Sequence, residues 1–127
     1  RPRRTGWLDM VAVRHAVRVS GLNGLAITKL DVLDGLPTLR IGVAYEIRGK
    51  RIDRMPSRVR DLAEARPVYE EMPGWATLGP ARTYRDLPTE ALAYLQRVAD
   101  LAGVPIKVLS IGRHRSQSMI LPEPLSD

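Results

Sequence analysis

Lys29 and Asp31 lie two residues apart at the end of a short apolar run, Gly24 to Leu30. On an extended chain, side chains two apart share a face. The carboxyl end of a strand is also where open α/β sheets take their ligands. A carboxylate there can accept two hydrogen bonds at once, from N1–H and the exocyclic amine of guanine, and both are charge-assisted. Adenine presents no such donor pair on that edge. A lysine stem can lie across the base plane while its ammonium reaches polar partners. Lys29-Leu30-Asp31 is therefore a candidate guanine reader, although the same tripeptide also fits a solvated strand end.

Ser110-Ile111-Gly112 follows a second apolar run, Val104 to Leu109. A glycine-containing turn lets backbone amides and carbonyls approach a planar ligand; a structural turn is the plain alternative. Arg1, Arg3 and Arg4 offer planar forks suited to phosphate or carboxylate. An exposed basic patch for nucleic acid is the other reading of the same residues. Arg113, His114 and Arg115 read as surface charge. Glu70 and Glu71 are adjacent, so on a strand they face opposite ways and form no dyad. The chain has no Walker-type phosphate loop, paired-histidine motif or nucleophile elbow. It has no cysteine and only two histidines, His15 and His114. That excludes disulfides, thiolate zinc sites, cysteine nucleophiles and histidine-rich metal clusters. His15 falls within a helical stretch and reads as structural or solvated.

The chain has 127 residues, 44% hydrophobic and 27% charged, the composition of a globular domain or a piece of one. Twenty Lys and Arg against fourteen Asp and Glu leave a formal charge of +6, which favours an anionic partner. Aromatic residues make up 5% and Phe is absent, so the ring platforms that stack single-stranded nucleic acid are hard to build. No run of apolar residues is long enough to span a membrane. The lack of cysteine suits a reducing, cytoplasmic setting. The chain opens on Arg1-Pro2-Arg3-Arg4 with no apolar signal core after it, so these residues are not expected to be a secretory leader, and the chain is expected to be a segment of a longer polypeptide.

Apolar periodicity predicts a helix over 7–20, with Asp9 in its first turn and Gly21 as its left-handed stop. A buried, parallel strand is predicted over 24–30, and another strand over 38–47. Arg48-Gly49-Lys50 reads as a hairpin turn with a return strand over 51–55. A short helix follows over 58–65, then an extended piece over 67–72 closed by Pro73-Gly74. Residues 76–85 read as a loop. Asp86-Leu87-Pro88 opens a helix with proline in its first turn. Its buried stripe is Leu87, Ala91, Leu92, Leu95, Val98 and Ala99, and Gly103 ends it. Strands are expected over 104–109 and 118–121, with Pro122-Glu123-Pro124 ending regular structure. Interleaved strands and helices give an α/β class: part of a mostly parallel sheet with flanking helices and an antiparallel hairpin.

Six segments in register resemble the C-terminal third of the adenylosuccinate synthetase family: Thr5 to Asp9, Thr28 to Leu36, Val43-Ala44-Tyr45, Pro67 to Glu70, Met72 to Trp75, and Gly103-Val104-Pro105. The resemblance implies a homodimeric, cytoplasmic ligase of AMP biosynthesis that joins IMP and L-aspartate, using GTP and magnesium. It implies phosphoryl transfer to the 6-oxygen of IMP, then attack by the aspartate amine on C6. On this resemblance Lys29, Leu30 and Asp31 match the family's guanine reader, and Ser110, Ile111 and Gly112 its late guanine-touching turn. Arg1, Pro2 and Arg3 match the end of the aspartate-binding loop, with Arg1 also reaching IMP and Arg3 the GTP phosphates. Ile111 stands where the family has Thr, and Arg113 where it has Pro. The resemblance places the phosphate loop, the catalytic aspartate and histidine, and the magnesium site before this segment. Residues 1–127 are thus expected to be the C-terminal piece of one larger α/β domain, with no catalytic or metal residue and no ligase activity alone. Membrane and nucleic-acid partners are not expected. The competing reading is a noncatalytic basic module that binds nucleic acid or protein.

Overall fold

A computed structural model describes residues 7–79, 81 and 83–111, and the backbone of 118–125. The first pairing is between β1 (Leu8–Asp9) and β3 (Thr38–Ile47), which run parallel, Leu8 opposite Ile41. Between them α1 (Met10–Ser20) begins where Asp9 leaves the strand. Asp9 is the helix cap rather than a first-turn residue, and the helix starts later than the periodicity suggested. Its Oδ1 accepts from the backbone N–H of Val11 at 3.0 Å and of Ala12 at 3.2 Å, two of the donors a helix start leaves open. Gly21 closes α1 at φ 64°, as its sequence position indicates.

Strand β3 is the centre of the first sheet. On one side it pairs with β1 and, antiparallel, with β4 (Lys50–Ile52); on the other it pairs antiparallel with β5 (Arg66–Pro73). Arg48 and Gly49 both take positive φ, 48° and 82°. That is the twist a two-residue hairpin requires; the hairpin is present, but its turn is Arg48-Gly49 alone, with Lys50 already paired to Ile47 and the return strand ending at Ile52. Arg48 is held there by ion pairs with Asp61, at 2.7 Å, and Glu64, both on α2 (Val59–Glu64).

The β3–β5 register slips between Gly42 and Ala44, so Val43 is the extra residue of a bulge. The slip reverses which face the strand's apolar residues occupy. Leu39, Ile41 and Ala44 enter the main core, while Tyr45 and Ile47 form a smaller cluster with Val11. The bulge also leaves the Val43 carbonyl to accept from Arg14 Nη2 at 2.9 Å.

The second sheet has the order β2 (Leu25–Ile27), β6 (Ile106–Ser110), β7 (Ser118–Leu125). The β2–β6 pair is parallel and the β6–β7 pair antiparallel. The pairings of the two sheets together are mixed, with helices packed on them, an α/β arrangement. Strand β7 continues through Pro122 and Pro124 to Leu125, beyond the stop the prolines suggested. It lies at the edge of its sheet, where a missing N–H costs no ladder bond.

Helix α3 (Thr89–Ala102) packs Ala91, Leu95, Val98, Ala99 and also Tyr94 into the main core, against Leu39, Ile41, Ile106 and Leu109. Leu92 is only half-buried, since Tyr94 takes part of the face that periodicity assigned to it. Arg97 ties α3 to β5 through a two-pronged pair with Glu70, Nε to Oε2 at 2.6 Å and Nη2 to Oε1 at 2.7 Å. The guanidinium holds the Glu70 carboxyl below the usual carboxylate range.

The Tyr45 hydroxyl donates to Asp9 Oδ2. Burial first, then that hydrogen bond and the Asp9 charge, push its phenol up to about 12. A folded pKa above the ordinary value of 10 means that this contribution to stability is complete below pH 10. It is lost as pH rises through about 12. Alkaline titration of tyrosinate absorbance should therefore contain a component with a midpoint near 12 that Tyr45→Phe removes. A wild-type profile indistinguishable from that of the variant rejects this assignment.

Candidate functional site

The parallel register of β2 and β6 sets Ala26 opposite Val108 and Ile27 opposite Leu109. Two neighbouring parallel strands end on the same side of a sheet. The chain after Ile27 and the chain after Ser110 therefore leave from one rim, and this brings Lys29, Leu30 and Asp31 to the same end as Ser110 and Ile111.

At that rim the chain is not extended, as the sequence reading assumed. Lys29 sits at φ 55°, in the left-handed region, and Leu30–Leu33 form a single 3₁₀ turn. The strand ends two residues before Lys29, so the period-two argument for a shared face does not apply. A non-glycine residue held in this region costs about 1–3 kcal/mol and persists only where its surroundings over-determine it, and such residues concentrate at functional sites. Leu30 is fully buried in the core. Lys29 and Asp31 on either side of it are exposed. Among the described residues the Asp31 carboxylate has no hydrogen-bond or ion-pair partner.

Beside the turn is a pocket of about 380 Å³, lined by Trp7, Leu8, Ile27, Lys29, Leu30 and Tyr94 among others. Its walls are mainly apolar, and Asp31 is not one of them. Ile111 is buried at 3% exposure within the main core. Its side chain is a packing element, so the turn at this position offers a ligand its backbone. Arg1, Pro2, Arg3 and Gly112 lie outside the described residues, as do Arg4, Arg113, His114 and Arg115.

Asp34 was not singled out by residue type, yet it is the most connected carboxylate near the turn. It accepts from Trp75 Nε1 at 2.7 Å, from the Leu78 backbone N–H at 3.2 Å and from Thr77 Oγ1 at 3.3 Å. Backbone bonds reinforce the junction, Gly35 N–H to the Trp75 carbonyl and Gly74 N–H to the Pro37 carbonyl, each at 3.0 Å. Only the order of residues in Thr28 to Leu36 hinted at it, because its partners lie more than forty positions away.

Among the described residues no three His, Cys, Asp or Glu side chains converge as a metal site would require. No helix among the described residues is long and apolar enough to cross a membrane.

The family model of adenylosuccinate synthetase matches residues 1–119. An adenylosuccinate synthetase of Anaeromyxobacter sp. (strain Fw109-5) is 52% identical over 125 residues, 98% of this chain and 29% of the relative. One from Carboxydothermus hydrogenoformans is 49% identical over 124 residues, 97% of this chain and 29% of that protein. The fold superimposes on the fully ligated adenylosuccinate synthetase of Plasmodium falciparum with a TM-score of 0.87 at 27% identity. That match covers 94% of this chain and 30% of the other. The chain thus spans less than a third of the length of these relatives.

Proposed function

The chain belongs to the adenylosuccinate synthetase family, and we propose that it forms the guanine-nucleotide- and aspartate-binding part of such a ligase. The complete enzyme joins IMP and L-aspartate to adenylosuccinate at the expense of GTP. The observation that carries this reading is the shared rim. The parallel β2–β6 pair sets the Lys29–Asp31 turn beside Ser110 and Ile111, and the Asp31 carboxylate is exposed and uncommitted among the described residues.

On this reading Asp31 accepts from guanine N1–H and the exocyclic amine, and the Lys29 stem covers the base plane. Ser110, Ile111 and Gly112 meet the base through backbone, which is why an apolar side chain is tolerated at position 111. Arg1 and Pro2 border aspartate, Arg1 reaching IMP as well, and Arg3 neutralises the GTP phosphates. Catalytic residues and the magnesium that screens the transferred phosphoryl group belong to the remainder of the enzyme, which acts as a homodimer in the cytoplasm. The competing basic module draws no support from a rim that presents an uncommitted carboxylate, a poor neighbour for a polyanion.

The test is Asp31→Asn in the complete enzyme, with GTP and ATP compared as phosphoryl donors. Two charge-assisted hydrogen bonds are weakened or reversed, a loss of about 3 kcal/mol. GTP should lose roughly 100-fold in kcat/KM, and the preference for GTP over ATP should collapse. A variant that keeps the wild-type preference removes Asp31 from base recognition.

A further inference from the structure

The turn that carries Lys29 and Asp31 has little of its own to hold it. It lies beyond the end of β2, and apart from the bonding inside the 3₁₀ turn itself its ends are closed by Val32 N–H to the Lys29 carbonyl at 3.2 Å and Asp34 N–H to the Asp31 carbonyl at 3.0 Å. A single 3₁₀ turn that begins from a left-handed lysine keeps its shape only where the surroundings over-determine it. On one side the anchor is Leu30, sunk in the core. On the other it is Asp34, whose backbone N–H binds Asp31 and whose carboxylate gathers three donors from Trp75, Thr77 and Leu78. Trp75 in turn stands edge-on to Tyr94, ring centroids 5.8 Å apart, and Tyr94 lines the pocket together with Lys29 and Leu30. Asp34 therefore ties the turn and the pocket wall to one loop.

Resting on the guanine reading above, we propose that Asp34 is a positioning residue for base selection. It touches no substrate. It sets where the Asp31 carboxylate stands, through the Asp34–Trp75 hydrogen bond and the backbone link between residues 34 and 31. Guanine recognition then depends on a residue that is itself fully engaged with protein.

The experiment compares GTP with ITP in the complete enzyme. Inosine lacks the exocyclic amine and keeps N1–H, so the GTP:ITP ratio of kcat/KM reports how well Asp31 is aimed. Loss of folded enzyme lowers both donors alike and leaves the ratio unchanged. Asp34→Ala should reduce the ratio about tenfold, with the KM values for IMP and aspartate unchanged, and Asp34→Asn, which retains an acceptor oxygen, should recover part of it. Trp75→Phe keeps the ring against Tyr94 and removes one hydrogen bond; it should lower the ratio in the same direction and decides the matter if Asp34→Ala does not fold. An unchanged ratio in the variants that fold overturns the positioning role. Asp31→Asn is the reference. If it collapses the ratio while the Asp34 and Trp75 variants do not, only this inference fails. If it too leaves the ratio intact, the guanine reading fails and this inference with it.

Discussion

Replacing Gly74 by alanine should cost at least about 3 kcal/mol, combining overpacking with a broken backbone hydrogen bond. A Cβ at this position would stand 1.8 Å from the Leu36 carbonyl oxygen, 2.9 Å from its carbon and 3.3 Å from the Pro37 carbonyl carbon. All three are backbone atoms, so no rotamer change relieves the clash. Moving the strand end away breaks the bond from Gly74 N–H to the Pro37 carbonyl and strains its neighbour from Gly35 to Trp75. The damage should therefore spread to Asp34 and the turn before it. Gly24 is the control: the three atoms nearest a Cβ there all belong to the Lys107 side chain, the closest being its Cδ at 2.6 Å, and a flexible lysine stem can swing aside. Denaturant unfolding of the complete enzyme should show a large loss for Gly74→Ala and less than about 1 kcal/mol for Gly24→Ala. Equal stability of the two variants would refute the close approach.

Asp9→Ala should be nearly as damaging, because one carboxylate serves two elements. Its Oδ1 caps α1, a contribution of about 1 kcal/mol. Its Oδ2 accepts from the Tyr45 hydroxyl, on a side chain only 7% exposed. A buried hydroxyl left without a partner costs about 1–3 kcal/mol, so the total comes to roughly 2–4 kcal/mol. The pair should be coupled: Asp9→Ala in a Tyr45→Phe background leaves no orphaned hydroxyl, so it should cost little beyond the cap. The four denaturant midpoints give the coupling directly. Additive losses would show that Tyr45 does not depend on Asp9.

Residues whose fate is decided by near neighbours could be read in advance. Gly21 and Gly103 end their helices because both stand where a left-handed stop is needed, and the ten-residue strand β3 was legible from Val43, Tyr45 and Ile47 alternating with Ala44 and Glu46 ahead of the Arg48-Gly49 turn. What escaped was decided at a distance. Nothing in a lysine announces a left-handed backbone, and Lys29 adopts one because the next residue, Leu30, is drawn into the core. The bulge at Val43 depends on how β5 pairs, which no property of β3 alone reveals. Asp34 looks like any turn aspartate until Trp75 is brought beside it. The candidate guanine residues were thus legible as types. Their geometry was not, since a curled turn presents them where an extended strand was expected.

The parallel seam between β2 and β6 joins an early part of the chain to a late one. If the proposed purine sits across the Lys29–Asp31 turn and Ser110–Ile111 it would clasp both, and nucleotide occupancy would then be part of what keeps the segment assembled. At a free concentration one hundred times Kd, such linkage adds about 2.7 kcal/mol to apparent stability. Protease cleavage that waits on separation of the two strands should slow by the same factor. The enzyme would then be longest-lived where its own energy donor is abundant.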